Sequence, residues 1–207
     1  MLYKTSCGFA IWTAVAVSAL SIGCQAGADD PQHGPSNSSP SAPKGSLPMK
    51  LTVTSTAFLE GQAVPKKNTG EGEDLSPAIA WTEVPNGTRE LALICDDPDA
   101  PSPEPWVHWV IYKIPPASNG LPEGIPRKLR LTDPVGAVQG KNSWSSGETI
   151  GYRGPMPPPG RVHHYRFSVY ALDVELDLEP GLDKRSVWKA MQGHVVAEGR
   201  LTGTYQR

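Results

Sequence analysis

Gly151-Tyr-Arg-Gly-Pro-Met-Pro-Pro-Pro-Gly160 runs directly into Arg161-Val-His-His-Tyr-Arg-Phe-Ser-Val-Tyr-Ala-Leu-Asp173. The first half reads as a rigid turn and the second as a strand. Gly151, Gly154 and Gly160 allow backbone angles or close approaches that a side chain forbids. The prolines at 155, 157, 158 and 159 fix φ, remove backbone donors and push their predecessors toward extended conformations. No helix survives that composition. From Val162 the alternation is clean: His163, Tyr165, Phe167, Val169 and Ala171 share one apolar face, and His164, Arg166 and Ser168 take the other. A histidine and a tyrosine therefore stand at the mouth of a core strand beside a rigid loop, which suits one wall of a small polar pocket.

Working outward, 207 residues with a net charge of -2 suffice for one well-cored domain and offer nothing to nucleic acid. The 22 prolines and 21 glycines lie largely between apolar runs, which predicts many turns and a mainly β fold. Residues 1–26 read as a targeting segment, with Lys4 as the positive end and Phe9 to Leu20 as the apolar stretch. Two processing readings compete. Ser21-Ile-Gly-Cys24 resembles a lipoprotein box that leaves Cys24 lipidated and the protein anchored in the cell envelope. Ala26-Gly-Ala28 suits ordinary signal peptidase, which releases a soluble periplasmic or secreted protein. Residues 27–48, rich in Ser, Pro and Gly, predict a flexible tether, and residues 49–207 the domain. Cys95 closes the apolar run Leu91-Ala-Leu-Ile-Cys95 and reads as a buried small hydrophobe.

Within the domain, alternation predicts a first strand from Leu51 to near Phe58, a loop over 60–75 and a short strand at Ile79–Thr82. A continuous apolar strand over 90–96 implies a central place in a sheet. In Trp106-Val-His-Trp-Val-Ile-Tyr-Lys-Ile114, alternation puts Trp106, His108, Val110 and Tyr112 on one face and Val107, Trp109 and Ile111 on the other. Residues 115–150 show no convincing periodic element beyond a short strand near Ala137–Gln139. Asp183 caps a helix over 184–192 whose inner stripe is Val187, Trp188 and Met191, with Gly193 as its stop. A last strand spans roughly 195–203.

Asp97-Pro-Asp-Ala-Pro101, Trp106-Val-His-Trp109, Gly151-Tyr-Arg-Gly-Pro155 with Pro157-Pro-Pro-Gly160, and His163-His-Tyr-Arg-Phe167 place titratable groups at strand ends. Together with the ending Ala197-Glu-Gly-Arg-Leu-Thr-Gly-Thr-Tyr-Gln-Arg207, these pieces resemble the phosphatidylethanolamine-binding protein family, in its bacterial Raf-kinase-inhibitor-like branch. The resemblance implies a two-sheet, β-sandwich-like fold with one or two short helices. It also implies a pocket for phosphate, carboxylate or phospholipid-headgroup ligands, used without a metal or cofactor. By the same resemblance Asp97, His108, Gly154, Pro155, His163 and Tyr165 are the ligand-binding residues. Asp99, Pro101 and Trp106 support the pocket. Val107 stands where eukaryotic members have a further histidine, and Met156 where bacterial relatives commonly have cysteine.

The residues favour binding over catalysis. Two imidazoles able to carry protons around an anion, a carboxylate to orient one of them and a phenol to donate make a receptor with no identifiable nucleophile. A phosphoester hydrolase using His108 and His163, and an inhibitor or scaffold acting on a protein partner, are the alternatives. Oligomeric state is left open, a homodimer included.

Overall fold

The computed structural model describes residues 48–207, so the expected targeting segment, Cys24 and nearly all of the expected tether lie outside the described residues. The strands are β1 (Met49–Lys50), β2 (Thr52–Thr54), β3 (Ile79–Thr82), β4 (Glu90–Asp97), β5 (Trp106–Ile114), β6 (Gly120–Leu121), β7 (Arg130–Thr132), β8 (Val135–Gln139), β9 (His163–Leu172) and β10 (Val195–Tyr205). One helix, α1 (Lys184–Met191), and a 3-10 turn at Lys66–Asn68 complete the fold. A seven-stranded sheet in the order β1-β10-β9-β4-β5-β8-β7 packs against a three-stranded sheet in the order β2-β3-β6. The expected mainly β, two-sheet architecture is the observed one.

The predicted first strand is two. β1 runs parallel to β10 in the large sheet, and β2 pairs antiparallel with β3 in the small one. Leu51, between them, donates its N–H to Glu198 O at 2.8 Å and buries its side chain between the sheets. Alternation continues through this crossing, so the sequence pattern alone does not reveal it.

β4 lies between β9 and β5, as its apolar run implies. Leu91, Leu93 and Cys95 face the small sheet, and Ala92 and Ile94 pack toward α1. Asp183 Oδ1 accepts the Ser186 N–H at 2.9 Å, capping the helix as expected. Val187 and Met191 are buried, but Trp188 is 39% exposed and rests edge-on against Tyr170. Trp188 therefore lies at the flank of the inner stripe. Residues 115–150 hold β6, β7 and β8, more structure than the sequence announced. These strands are two to five residues long, too short for a legible period.

The feature that positions the site is a bulge in β5. Cys95 faces Trp109 while the next residue of β4, Asp96, faces Val107, so His108 is the extra residue. Strict alternation would set His108 and Trp109 on opposite faces. The bulge instead turns His108 toward Tyr165, on the same side of the sheet as Trp109.

Candidate functional site

Strand ends supply the polar groups. Asp97 closes β4, and its Oδ1 accepts the Asp99 N–H at 2.8 Å, the local turn that Asp-Pro-Asp favours. Its Oδ2 accepts from His163 Nδ1 at 2.7 Å, where β9 begins. Both residues are almost fully buried, at 3% and 2% exposure. With its Nδ1 proton directed at Asp97, His163 has no other hydrogen bond among the described residues, which leaves Nε2 unpartnered. Tyr165, two residues along the same face, is 1% exposed, and its hydroxyl has no partner among the described residues.

His108 is held by a reciprocal clasp. Arg153 donates its N–H to His108 O at 3.0 Å, and His108 Nδ1 donates to Arg153 O at 2.6 Å. This clasp ties the 151–160 turn to the bulge. Tyr165 and Trp144 stand edge-on to the His108 ring at 5.0 and 5.1 Å, and Trp106 packs on Trp144 at 5.5 Å. The result is a cavity of about 220 Å³ lined by Asp97, His108, His163 and Tyr165, with Trp106 and Trp144 among its apolar walls.

The structure thus brings together Asp97, His108, His163, Tyr165, Pro101 and Trp106. It does not put Gly154 or Pro155 on the cavity wall, where Met156, Pro157 and Pro158 stand instead. The Gly154 N–H donates to Asp74 Oδ1 at 2.6 Å, and Pro155 O accepts from Gly70 at 2.9 Å. Asp74 is in turn paired with Arg127 at 2.6 Å. A Cβ on Gly154 would lie 2.4 Å from Asn68 O and 2.7 Å from Thr69 Cα. Close backbone packing, rather than ligand approach, therefore requires this glycine. Asp99 also stays off the wall: its carboxylate accepts from the His164 N–H and ring at 2.9 and 2.8 Å, fastening the 97–101 turn to β9.

Trp144 is the wall residue that sequence reasoning missed. It sits in Ser143-Trp-Ser-Ser-Gly147, where no periodicity assigns it a face. The available signal was a lone large aromatic within a small, polar stretch. The Arg153 guanidinium lies 4.4 Å from the Trp144 ring.

Burial sets the protonation of the site. It pushes His108 down to about 4, against the opposing pull of the Arg153 carbonyl and nearby carboxylates. His108 is therefore neutral near pH 7, not half of a doubly protonated pair. Burial and the Asp97 charge raise the Tyr165 phenol above its usual value, so it remains a donor. No group of three or more His, Cys, Asp or Glu residues able to hold a metal occurs among the described residues.

A family described as phosphatidylethanolamine-binding protein matches residues 54–206. A UPF0098 protein of Methanothermobacter thermautotrophicus is 52% identical over 157 residues, covering 76% of this chain and 99% of the relative. Another, from Pyrococcus horikoshii, is 42% identical, covering 77% and 78%. Among solved structures, Escherichia coli YbcL, described as a member of the mammalian family, superposes with a TM-score of 0.70 at 31% identity, covering 76% of this chain and 99% of YbcL. A Chlamydia trachomatis homologue gives 0.66 at 37% identity, covering 76% and 98%. This chain belongs to the phosphatidylethanolamine-binding protein family, one of binding proteins rather than catalysts.

Two outcomes are expected. Gly154→Ala should lower stability by about 1–3 kcal/mol, because its Cβ meets backbone that cannot swing aside. Chemical denaturation checks this; unchanged stability would contradict the packing role. The second concerns pH. The unfolded His108 titrates near 6.5 and the folded one at about 4, so the unfolded chain takes up the proton first as pH falls. That stability is intact above about pH 6.5 and is lost down to about pH 4, a gap of about 3 kcal/mol. Urea unfolding at both ends of this window should show a loss larger by about that amount in the parent than in His108→Gln. Equal losses would mean that the imidazole is not held neutral.

Proposed function

We propose that this protein is a non-catalytic receptor for one small anion, of phosphate, carboxylate or phospholipid-headgroup type, bound between Tyr165, His108 and His163. The observation that carries this reading is the Tyr165 hydroxyl, which is buried, lacks a partner among the described residues and belongs to a ring lining the cavity. An unmade hydrogen bond of this kind costs about 1–3 kcal/mol, which a ligand oxygen would relieve. The volume of about 220 Å³ lies below the roughly 300 Å³ at which pockets for drug-sized molecules begin. An ion or a headgroup is the matching size.

A hydrolase is disfavoured by the same geometry. Ser102, which also lines the cavity, donates its hydroxyl to Glu104 O at 2.6 Å instead of to His163. Cys95 is buried, and burial raises its thiol well above the usual value. The motifs at 97–101, 106–109 and 151–160 support a place in the Raf-kinase-inhibitor-like branch. Export with a lipid anchor on Cys24 completes the proposal, supported by the apolar stretch and box at 9–24.

Tyr165→Phe should weaken phosphate binding about ten- to a hundredfold, the loss of a hydrogen bond to a charged group worth about 1.5–3 kcal/mol. Stability should hold or rise, since an unpaired polar group is removed. Calorimetric titration with inorganic phosphate, alongside thermal melts, distinguishes this from a structural tyrosine, whose loss would lower stability and leave affinity alone. For the anchor, fractionation should find the parent with membranes and Cys24→Ser in the soluble fraction. Identical distribution would remove the anchor from the account.

A further inference from the structure

Among the described residues no lysine or arginine lines the candidate cavity, and Arg153 turns its guanidinium to the Trp144 ring and to Ser146 O. His108 Nδ1 lies 2.6 Å from the Arg153 carbonyl oxygen, which only accepts. The proton of the neutral ring therefore sits on Nδ1. Exchanging tautomers would set two lone pairs against each other at that distance. What His108 offers on Nε2, which has no partner among the described residues, is a lone pair. Both Asp97 carboxylate oxygens are likewise acceptors, already engaged by His163 and the Asp99 N–H.

We infer that the pocket takes its anion in a protonated form, a ligand P–OH donating to His108 Nε2 while Tyr165 donates to another oxygen of the same group. His108 is then the specificity-determining residue. It favours hydrogen phosphate and phosphomonoester monoanions over sulfate, over fully ionised monoesters, and over phosphodiesters, which have no P–OH to give. The inference rests on reading the cavity as an anion site, and it narrows that reading: the phosphodiester of an intact phospholipid is a poor fit, and a free phosphate or monoester is a good one.

The charges around the ring would favour an imidazolium, which would donate instead. Asp97 and Asp96 stand at the end of β4, Asp74 lies on the segment behind the 151–160 turn, and His163 of β9 lines the same cavity, while Tyr165 and Trp144 close the sides. Burial outweighs these carboxylates and keeps the ring neutral down to about pH 4.

Calorimetric titration of the full chain, at constant ionic strength, tests this with inorganic phosphate, phosphoethanolamine, glycerophosphoethanolamine and sulfate. The two phosphoethanolamine compounds carry the same ammonium group and differ in the glyceryl ester that replaces the ionisable P–OH. Near neutral pH, sulfate should bind at least about tenfold more weakly than phosphate, and the diester at least about tenfold more weakly than the monoester when both are compared near pH 6. Phosphoethanolamine, whose second ionisation lies near pH 6, should lose about tenfold in affinity per pH unit above it, whereas inorganic phosphate retains a proton and falls less. In His108→Gln, whose amide can donate, the gap between phosphate and sulfate should narrow. Sulfate and the diester binding as well as phosphate and the monoester would overturn the inference and leave the anion site standing. Absence of binding by all of these probes would overturn both.

Discussion

Two hydrogen bonds between His108 and Arg153 hold the functional end of this protein together. One joins backbone to backbone at 3.0 Å and the other joins imidazole to carbonyl at 2.6 Å. They secure the proline turn to a core strand at its bulge, where the His108 side chain faces Tyr165 of β9, two strands away across β4. They also decide the chemistry of the ring, because a carbonyl partner fixes which nitrogen keeps the proton. Fold and ligand preference therefore share a single local constraint. Anything that loosened the turn would also free the tautomer.

The remainder of the pocket shows the same economy. The Asp97 and His163 pair is buried and joined at 2.7 Å, and removing His163 would leave a buried carboxylate short of a donor. Tyr165 presents the reverse case, a buried hydroxyl that makes no hydrogen bond among the described residues, with the Asp97 carboxylate nearby. Alternate positions along one face of β9 thus carry an imidazole paired through one nitrogen and a hydroxyl with no hydrogen bond among the described residues. Structural demand explains the first. A ligand explains the second, at a small expense in stability of the kind that binding sites carry.

Much of this was legible in the sequence because it is local. The period-two pattern of β9 put His163 and Tyr165 on one buried face, the Asp-Pro-Asp turn marked the end of β4, and Asp183 marked the start of α1. What was not legible depends on partners distant in the chain. The bulge at His108 exists only relative to the register of β4, so alternation assigned that side chain to the wrong face. Gly154 looked like a site for ligand approach, but the backbone it meets comes from residues 68 and 69, about 85 positions earlier. Trp144 lay in an aperiodic stretch and gained its role only when the chain folded it against His108. The division of the first strand at Leu51 is hidden for a related reason, since both halves keep the same alternation while changing sheets.

The central claim is that one anion completes the unmet hydrogen bonds of Tyr165 and His108. A high-resolution crystal structure of the protein with inorganic phosphate tests it most directly. The account predicts phosphate in the cavity, with one oxygen at hydrogen-bond distance, about 2.5–3.0 Å, from the Tyr165 hydroxyl and another at about 2.7–3.2 Å from His108 Nε2. The His108–Arg153 clasp should be unchanged. Phosphate bound elsewhere, or a cavity in which Tyr165 remains unpartnered at saturating phosphate, would contradict it.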